Sequence, residues 1–177
     1  MQRRIHVTGL FEMPRHVGAL RPTHLVSILQ PEFQPVRPPS IARERHLRVQ
    51  VHDVTADDGI SVVPGRRHVA EILRFLGAWE DEAEGDLLVH CYAGVSRSTA
   101  VALIGLARAS RDPAAAVATL RAAAPHAMPN RLIVALADEL LDLGGGLSEA
   151  CAGLGPPSYD LRGEPLATLL LAARKER

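Results

Sequence analysis

The chain has 177 residues, 47% of them hydrophobic, which suits one domain with a real core and excludes wholesale disorder. Twenty basic and twenty acidic residues cancel to a formal net charge of zero, so no global positive field draws in nucleic acid or an anionic membrane surface. Only two cysteines, no apolar signal core within residues 1–10 and no apolar run of bilayer length exclude a disulfide scaffold and point to a reducing cytoplasm.

Short apolar runs at 5–7, 24–29, 46–51 and 87–90 read as strands, and helical patterns lie between and after them. This alternation predicts an α/β fold: one domain with a central, mostly parallel sheet of four to five strands flanked by helices. Residues 31–39 are proline-rich and polar and read as an ordered surface loop. Between 67 and 79, Val69, Ile72, Leu73 and Leu76 recur at the spacing of one buried helical face. Asp112 followed by Pro113 gives an N-cap and a proline at the first helical position, opening a helix to Ala124. Asn130 caps another helix through Leu132, Ile133, Leu136 and Leu140, which glycines 144–146 stop. Residues 1–146 are expected to form the principal domain. Residues 147–177 then form a C-terminal extension, packed on it or loosely attached, with a last short helix over 166–173.

The chemistry concentrates at residues 86–100. An apolar strand ends at His90, a small-residue turn follows, and an apolar helix opens at Arg97. A strand-to-helix turn aims several backbone N–H groups and the positive end of a helix dipole at one spot, a nest suited to a tetrahedral anion. The same environment favours the thiolate of a cysteine placed inside it, here Cys91. Arg97 follows Cys91 by six positions, close enough for its planar fork to clamp two oxygens of the same anion. Gly94 permits backbone angles that a Cβ would forbid. The hydroxyl of Ser98 can hydrogen-bond the sulfur, and the ring nitrogens of His90 can fix loop backbone groups.

His90 and Cys91, five intervening residues, then Arg97, Ser98 and Thr99 resemble the active-site signature of the protein-tyrosine and dual-specificity phosphatases. The run from His90 to Ala100 is most similar to that of small bacterial tyrosine phosphatases. The resemblance implies the cysteine-phosphatase fold and a metal-free, cofactor-independent phosphomonoester hydrolase. Its substrate would be a phosphorylated protein, on tyrosine or on serine/threonine, or a small aryl phosphate. It assigns Cys91 as nucleophile and Arg97 as phosphate clamp, and Ser98 and His90 as supporting groups. Tyr92, Ala93, Gly94, Val95 and Ser96, with Arg97, become the substrate-binding loop. It places the general acid at Asp53, thirty-eight positions before the cysteine, with Asp57 and Asp58 as competitors on the same segment. Pro129-Asn130 and residues 162–165 also resemble family elements. No upstream aromatic segment that would build a deep phosphotyrosine slot is evident, and His52 reads as structural.

Other classes compete with this reading. Gly94-Val95-Ser96-Arg97-Ser98 comes within one residue of a serine-hydrolase nucleophile elbow, with Asp112 and His126 in triad order. Sulfurtransferases and arsenate reductases also use a cysteine in an anion loop. A phosphate-binding pseudophosphatase would recognise phosphorylated partners without efficient hydrolysis. Cys151 reads as a free structural thiol, with a protective disulfide to Cys91 as the alternative.

Overall fold

The computed structural model describes residues 3–82, 85–159 and 166–171. In chain order these form β1 (Arg4–Thr8), α1 (Met13–Leu20), β2 (His24–Leu29), β3 (His46–Gln50), α2 (Arg66–Asp81), β4 (Leu87–His90) and α3 (Arg97–Ser110). Then come α4 (Pro113–Ala123), α5 (Arg131–Leu141), α6 (Gly146–Ala152) and β5 (Ala167–Leu170).

The five strands make one sheet in the order β3-β2-β4-β1-β5. The first four strands run parallel, and β5 joins the β1 edge antiparallel. Parallel strands covered on both faces must be apolar throughout, and every residue of β2 and β4 is buried. Alternation then sorts their side chains between two cores. Leu47, Val26, Val89 and Val7 pair across the four parallel strands and point into the larger core, with α2 to α6. Leu25 and Leu88 point the other way, onto Met13 and Val17 of α1 and onto Ile41.

Helix α3 is buried at twelve of its fourteen residues, so it lies inside the larger core between the sheet and the neighbouring helices. Asp112 and Asn130 cap as the sequence predicts: Asp112 accepts from the Ala115 amide, and Asn130 Oδ1 accepts from those of Leu132 and Ile133.

One local expectation is corrected. The expected helix over 166–173 is not formed by its described part, 166–171: Ala167–Leu170 is a strand whose burial alternates, with Ala167 and Leu169 inward and Thr168 and Leu170 outward. The leucine run favours a helix by propensity, but the free edge of β1 offers ladder hydrogen bonds that outweigh it. Helices α1 and α6 were not foreseen. Both begin beside glycine or proline, where sequence signals read as loop. Residues 162–165 lie outside the described residues.

Candidate active site

All four parallel strands deliver chain to one place, the crevice beyond their carboxyl ends, where open α/β sheets bind ligands. The end of β4 leads into Cys91, that of β3 into Val51 and Asp53, that of β2 into Gln30, and that of β1 into Gly9 and Leu10. A cavity of about 390 Å³ opens here, lined by Gln30, Phe33, Asp53, Tyr92, Ala93, Val95, Ser96 and Arg97.

The loop from Cys91 to Ser96 is held by its carbonyls. His90 Nδ1 donates to the carbonyl of Cys91 at 3.4 Å, and the Leu10 amide to that of Tyr92 at 3.0 Å. His126 Nε2 donates to the Gly94 carbonyl at 3.2 Å. The Met128 amide and the Thr99 hydroxyl share that of Val95, and the Asn130 amide takes that of Ser96. Among the described residues, no backbone N–H from Tyr92 to Arg97 donates to a protein acceptor. Carbonyls drawn into the scaffold and amides left without protein partners make the nest that an oxyanion requires. Gly94 has a φ of +74°, and a Cβ there would stand 2.8 Å from the backbone carbon of Thr8. Only glycine lets the loop lie this close to β1.

Cys91 and Arg97 are both nearly inaccessible, at 2% and 3% exposure. The sulfur of Cys91 lies 3.1 Å from the hydroxyl of Ser98. Arg97 is pinned from behind, its Nη1 donating to Gln30 Oε1 and to the Val51 carbonyl, both at 2.9 Å. Its Nε is buried with no hydrogen-bond partner among the described residues, and Asp53 Oδ2 stands 4.0 Å away. A buried guanidinium with a vacant N–H is costly in a purely structural role. Beside a nest of free amides it is the edge that an anion completes.

Asp53 is the one of the three candidate acids joined to this assembly. Its Oδ1 accepts from Ser96 Oγ at 2.7 Å and from Asn130 Nδ2 at 2.9 Å, while Oδ2 takes no hydrogen bond among the described residues. Asp57 caps the Gly59 amide. Asp58 is tied into its own turn by the Ser61 amide, the Ile60 amide and the Ser61 hydroxyl. Those bonds, led by the Ser61 amide, hold its carboxyl down at about 2. His52 is structural, its Nδ1 accepting from the Val62 amide.

The serine-hydrolase arrangement does not form. Ser96 gives its proton to Asp53, His126 donates to a carbonyl, and Asp112 caps α4. Cys151 is a free, buried thiol on α6, pushed up by burial. It lines a second cavity of about 700 Å³ that shares Asp53 and Ser96 with the first.

Sequence reading missed several supports: Gln30, His126, the second role of Asn130, and an aromatic wall. Phe33 lines the cavity with its ring 5.4 Å from that of Tyr92, and Phe11 meets Tyr92 edge-on at 5.7 Å. No aromatic segment exists in the sequence because these rings come from three separate loops.

No protein-family model and no curated protein matches the chain. Solved structures do. DUSP15 superposes with a TM-score of 0.60 at 22% identity, covering 85% of this chain and 89% of that one. The PTP-2 phosphatase of Cydia pomonella gives 0.59 at 19%, covering 94% and 93%. The Yvh1 phosphatase domain from Chaetomium thermophilum gives 0.59 at 21%, covering 81% and 93%. The chain has the tyrosine-phosphatase fold. In this chain the loop after β4 opens at the carboxyl ends of the parallel strands, where Cys91 and Arg97 stand.

Proposed function

We propose that this chain is a cysteine-dependent phosphomonoester hydrolase acting on phosphorylated proteins, with phosphotyrosine preferred. The observation that carries the reading is the open edge of Arg97, buried beside a loop of unpartnered amides and facing the same cavity. Three equatorial phosphoryl oxygens match that donor set, and the geometry stabilises charge as it spreads over them.

In the first step Cys91 Sγ attacks phosphorus, the ester P–O bond breaks, and a cysteinyl-phosphate forms. Asp53, held through Oδ1, passes a proton from Oδ2 to the departing oxygen. In the second step the Asp53 carboxylate takes a proton from water as it attacks phosphorus. The P–S bond breaks, and the departing sulfur accepts a hydrogen bond from Ser98. His90 and the carbonyl anchors keep the loop in place throughout.

The aromatic wall favours phosphotyrosine over phosphoserine or phosphothreonine, because Phe33 and Tyr92 offer a ring surface that an alkyl ester cannot fill. Net charge zero argues against nucleic acid, and no helix among the described residues is long and apolar enough to cross a membrane.

The test is phosphate release from a phosphotyrosine peptide, with acid-quench mass spectrometry for a phosphate adduct on Cys91. Cys91→Ser should abolish both release and adduct. Phosphopeptide binding without release by the unaltered protein would instead make it a pseudophosphatase, and undiminished turnover by Cys91→Ser would remove the cysteine mechanism.

A further inference from the structure

Behind the candidate nucleophile lies a chain of three polar side chains in the sheet, two of them buried and the third, His46, half-buried. Ser27 on β2 lies 2.6 Å from His90 Nε2 through its Oγ, and the same Oγ lies 2.8 Å from His46 Nε2 on β3. Ser27 and His90 are wholly inaccessible, and the backbone register sets their meeting, since Ser27 pairs directly with His90 across β2 and β4. Burial pushes both imidazoles down to about 4, so near neutral pH each ring carries one proton.

That single proton can be located. The Cys91 carbonyl only accepts, so the contact at 3.4 Å requires the proton on His90 Nδ1. His90 Nε2 is then a bare acceptor, and Ser27 must spend its one hydroxyl proton there. Having donated, Ser27 can only accept from its other neighbour, so His46 carries its proton on Nε2. His46 Nδ1 is left bare, and it is indeed buried with no partner among the described residues. The opposite tautomer would bury an unpartnered N–H and set two acceptors against the Ser27 oxygen. Both ends of the chain therefore select one direction of hydrogen bonding.

We infer that Ser27 and His46 are positioning residues for the active-site loop, acting as a one-way relay that fixes the His90 tautomer and so the orientation of Cys91. A His90 with its proton on Nε2 would turn a lone pair toward the Cys91 carbonyl and push the loop out of register. Misplacing a reacting atom by about 1 Å costs on the order of a hundredfold in rate, and a partial loss of register costs correspondingly less. The catalytic part of the inference rests on the phosphatase reading. The tautomers do not.

The experiment is long-range ¹H–¹⁵N correlation spectroscopy of the imidazole rings at neutral pH, alongside the rate of Cys91 alkylation by iodoacetamide. The unaltered protein should show His90 protonated at Nδ1 and His46 at Nε2. Ser27→Ala and His46→Leu should scramble the His90 tautomer and slow alkylation about tenfold, with circular dichroism unchanged. His46→Gln, whose amide N–H₂ can donate where Nε2–H does, should restore both to within about twofold. An Nε2-protonated His90 in the unaltered protein, or a His46→Gln variant no better than His46→Leu, overturns the relay. The stated tautomers and alkylation pattern without phosphate release from any aryl phosphate would retain the relay and remove the phosphatase.

Discussion

Replacing Asp53 by asparagine separates catalysis from packing. The amide oxygen of an asparagine can take over both bonds of Oδ1, from Ser96 Oγ at 2.7 Å and Asn130 Nδ2 at 2.9 Å, so the side chain keeps its place. What disappears is the proton-carrying Oδ2 and its 4.0 Å approach to Arg97. Asp53 is 39% exposed, so that pair contributes at most about 1 kcal/mol and the variant should remain folded. The catalytic loss is larger. General-acid catalysis supplies about 10² to 10⁴ in rate, and each factor of ten is about 1.4 kcal/mol of barrier. A tyrosine leaving group, with a pKa of about 10, needs that proton far more than p-nitrophenolate does. Steady-state kinetics on both substrates should therefore show Asp53→Asn losing on the order of a hundredfold in kcat for a phosphotyrosine peptide, but less than about tenfold for p-nitrophenyl phosphate. Asp57→Asn and Asp58→Asn, whose carboxylates serve local turns, should stay within about threefold. An Asp53→Asn enzyme with near-normal phosphotyrosine turnover refutes the assignment. So does the same hundredfold loss in either neighbour.

Gly94→Ala should cost about 2 to 5 kcal/mol by urea denaturation, the sum of a left-handed backbone and a Cβ jammed against Thr8, with activity falling as the loop moves; a change below about 1 kcal/mol would show that the loop relaxes freely. His90 supplies a pH signature. Its folded value of about 4 lies below the ordinary 6.5, so between those limits the unfolded chain binds more protons and stability falls on acidification. The loss should reach on the order of 3 kcal/mol by pH 4. His46, also held at about 4, titrates over the same window, so in His90→Gln the slope of stability against pH should lessen without vanishing, and an unaltered slope would place the responsible group elsewhere.

The sequence carried the fold where its signals were local and redundant. Four apolar runs became the four parallel strands, and the Asp112 and Asn130 caps were legible because an N-cap needs one oxygen at one position. The strand-to-helix loop was legible for the same reason: Cys91, Gly94, Arg97 and Ser98 lie within eight residues, between the end of β4 and the first turn of α3. Everything that depended on distant segments meeting was not. Gln30 behind Arg97, Ser27 behind His90, and Phe11 and Phe33 beside Tyr92 are brought in by strand register and loop closure, neither of which leaves a mark in the chain near the signature. The tail strand failed in the opposite way. Residues 167–170 carry a helical composition, and only the vacant edge of β1 makes them extended.

These distant supports share one effect. The anchors of the loop carbonyls come from β4 through His90, from the β1–α1 turn through Leu10, and from the segment before α5 through His126, Met128 and Asn130. A loop free in water would satisfy its amides and carbonyls alike, with no net preference for an anion. Holding the carbonyls of Cys91, Tyr92, Gly94, Val95 and Ser96 from three sides leaves the loop amides unspent among the described residues, beside a guanidinium whose Nη1 is already committed to Gln30 and Val51. On the proposed reading the anion site is built before any ligand arrives, and the ordering entropy is met by folding rather than by binding. Asn130 joins the two halves of that arrangement. Its side chain caps α5 and grips Asp53, while its backbone amide holds the Ser96 carbonyl, so the loop and the candidate acid are fixed to the same residue.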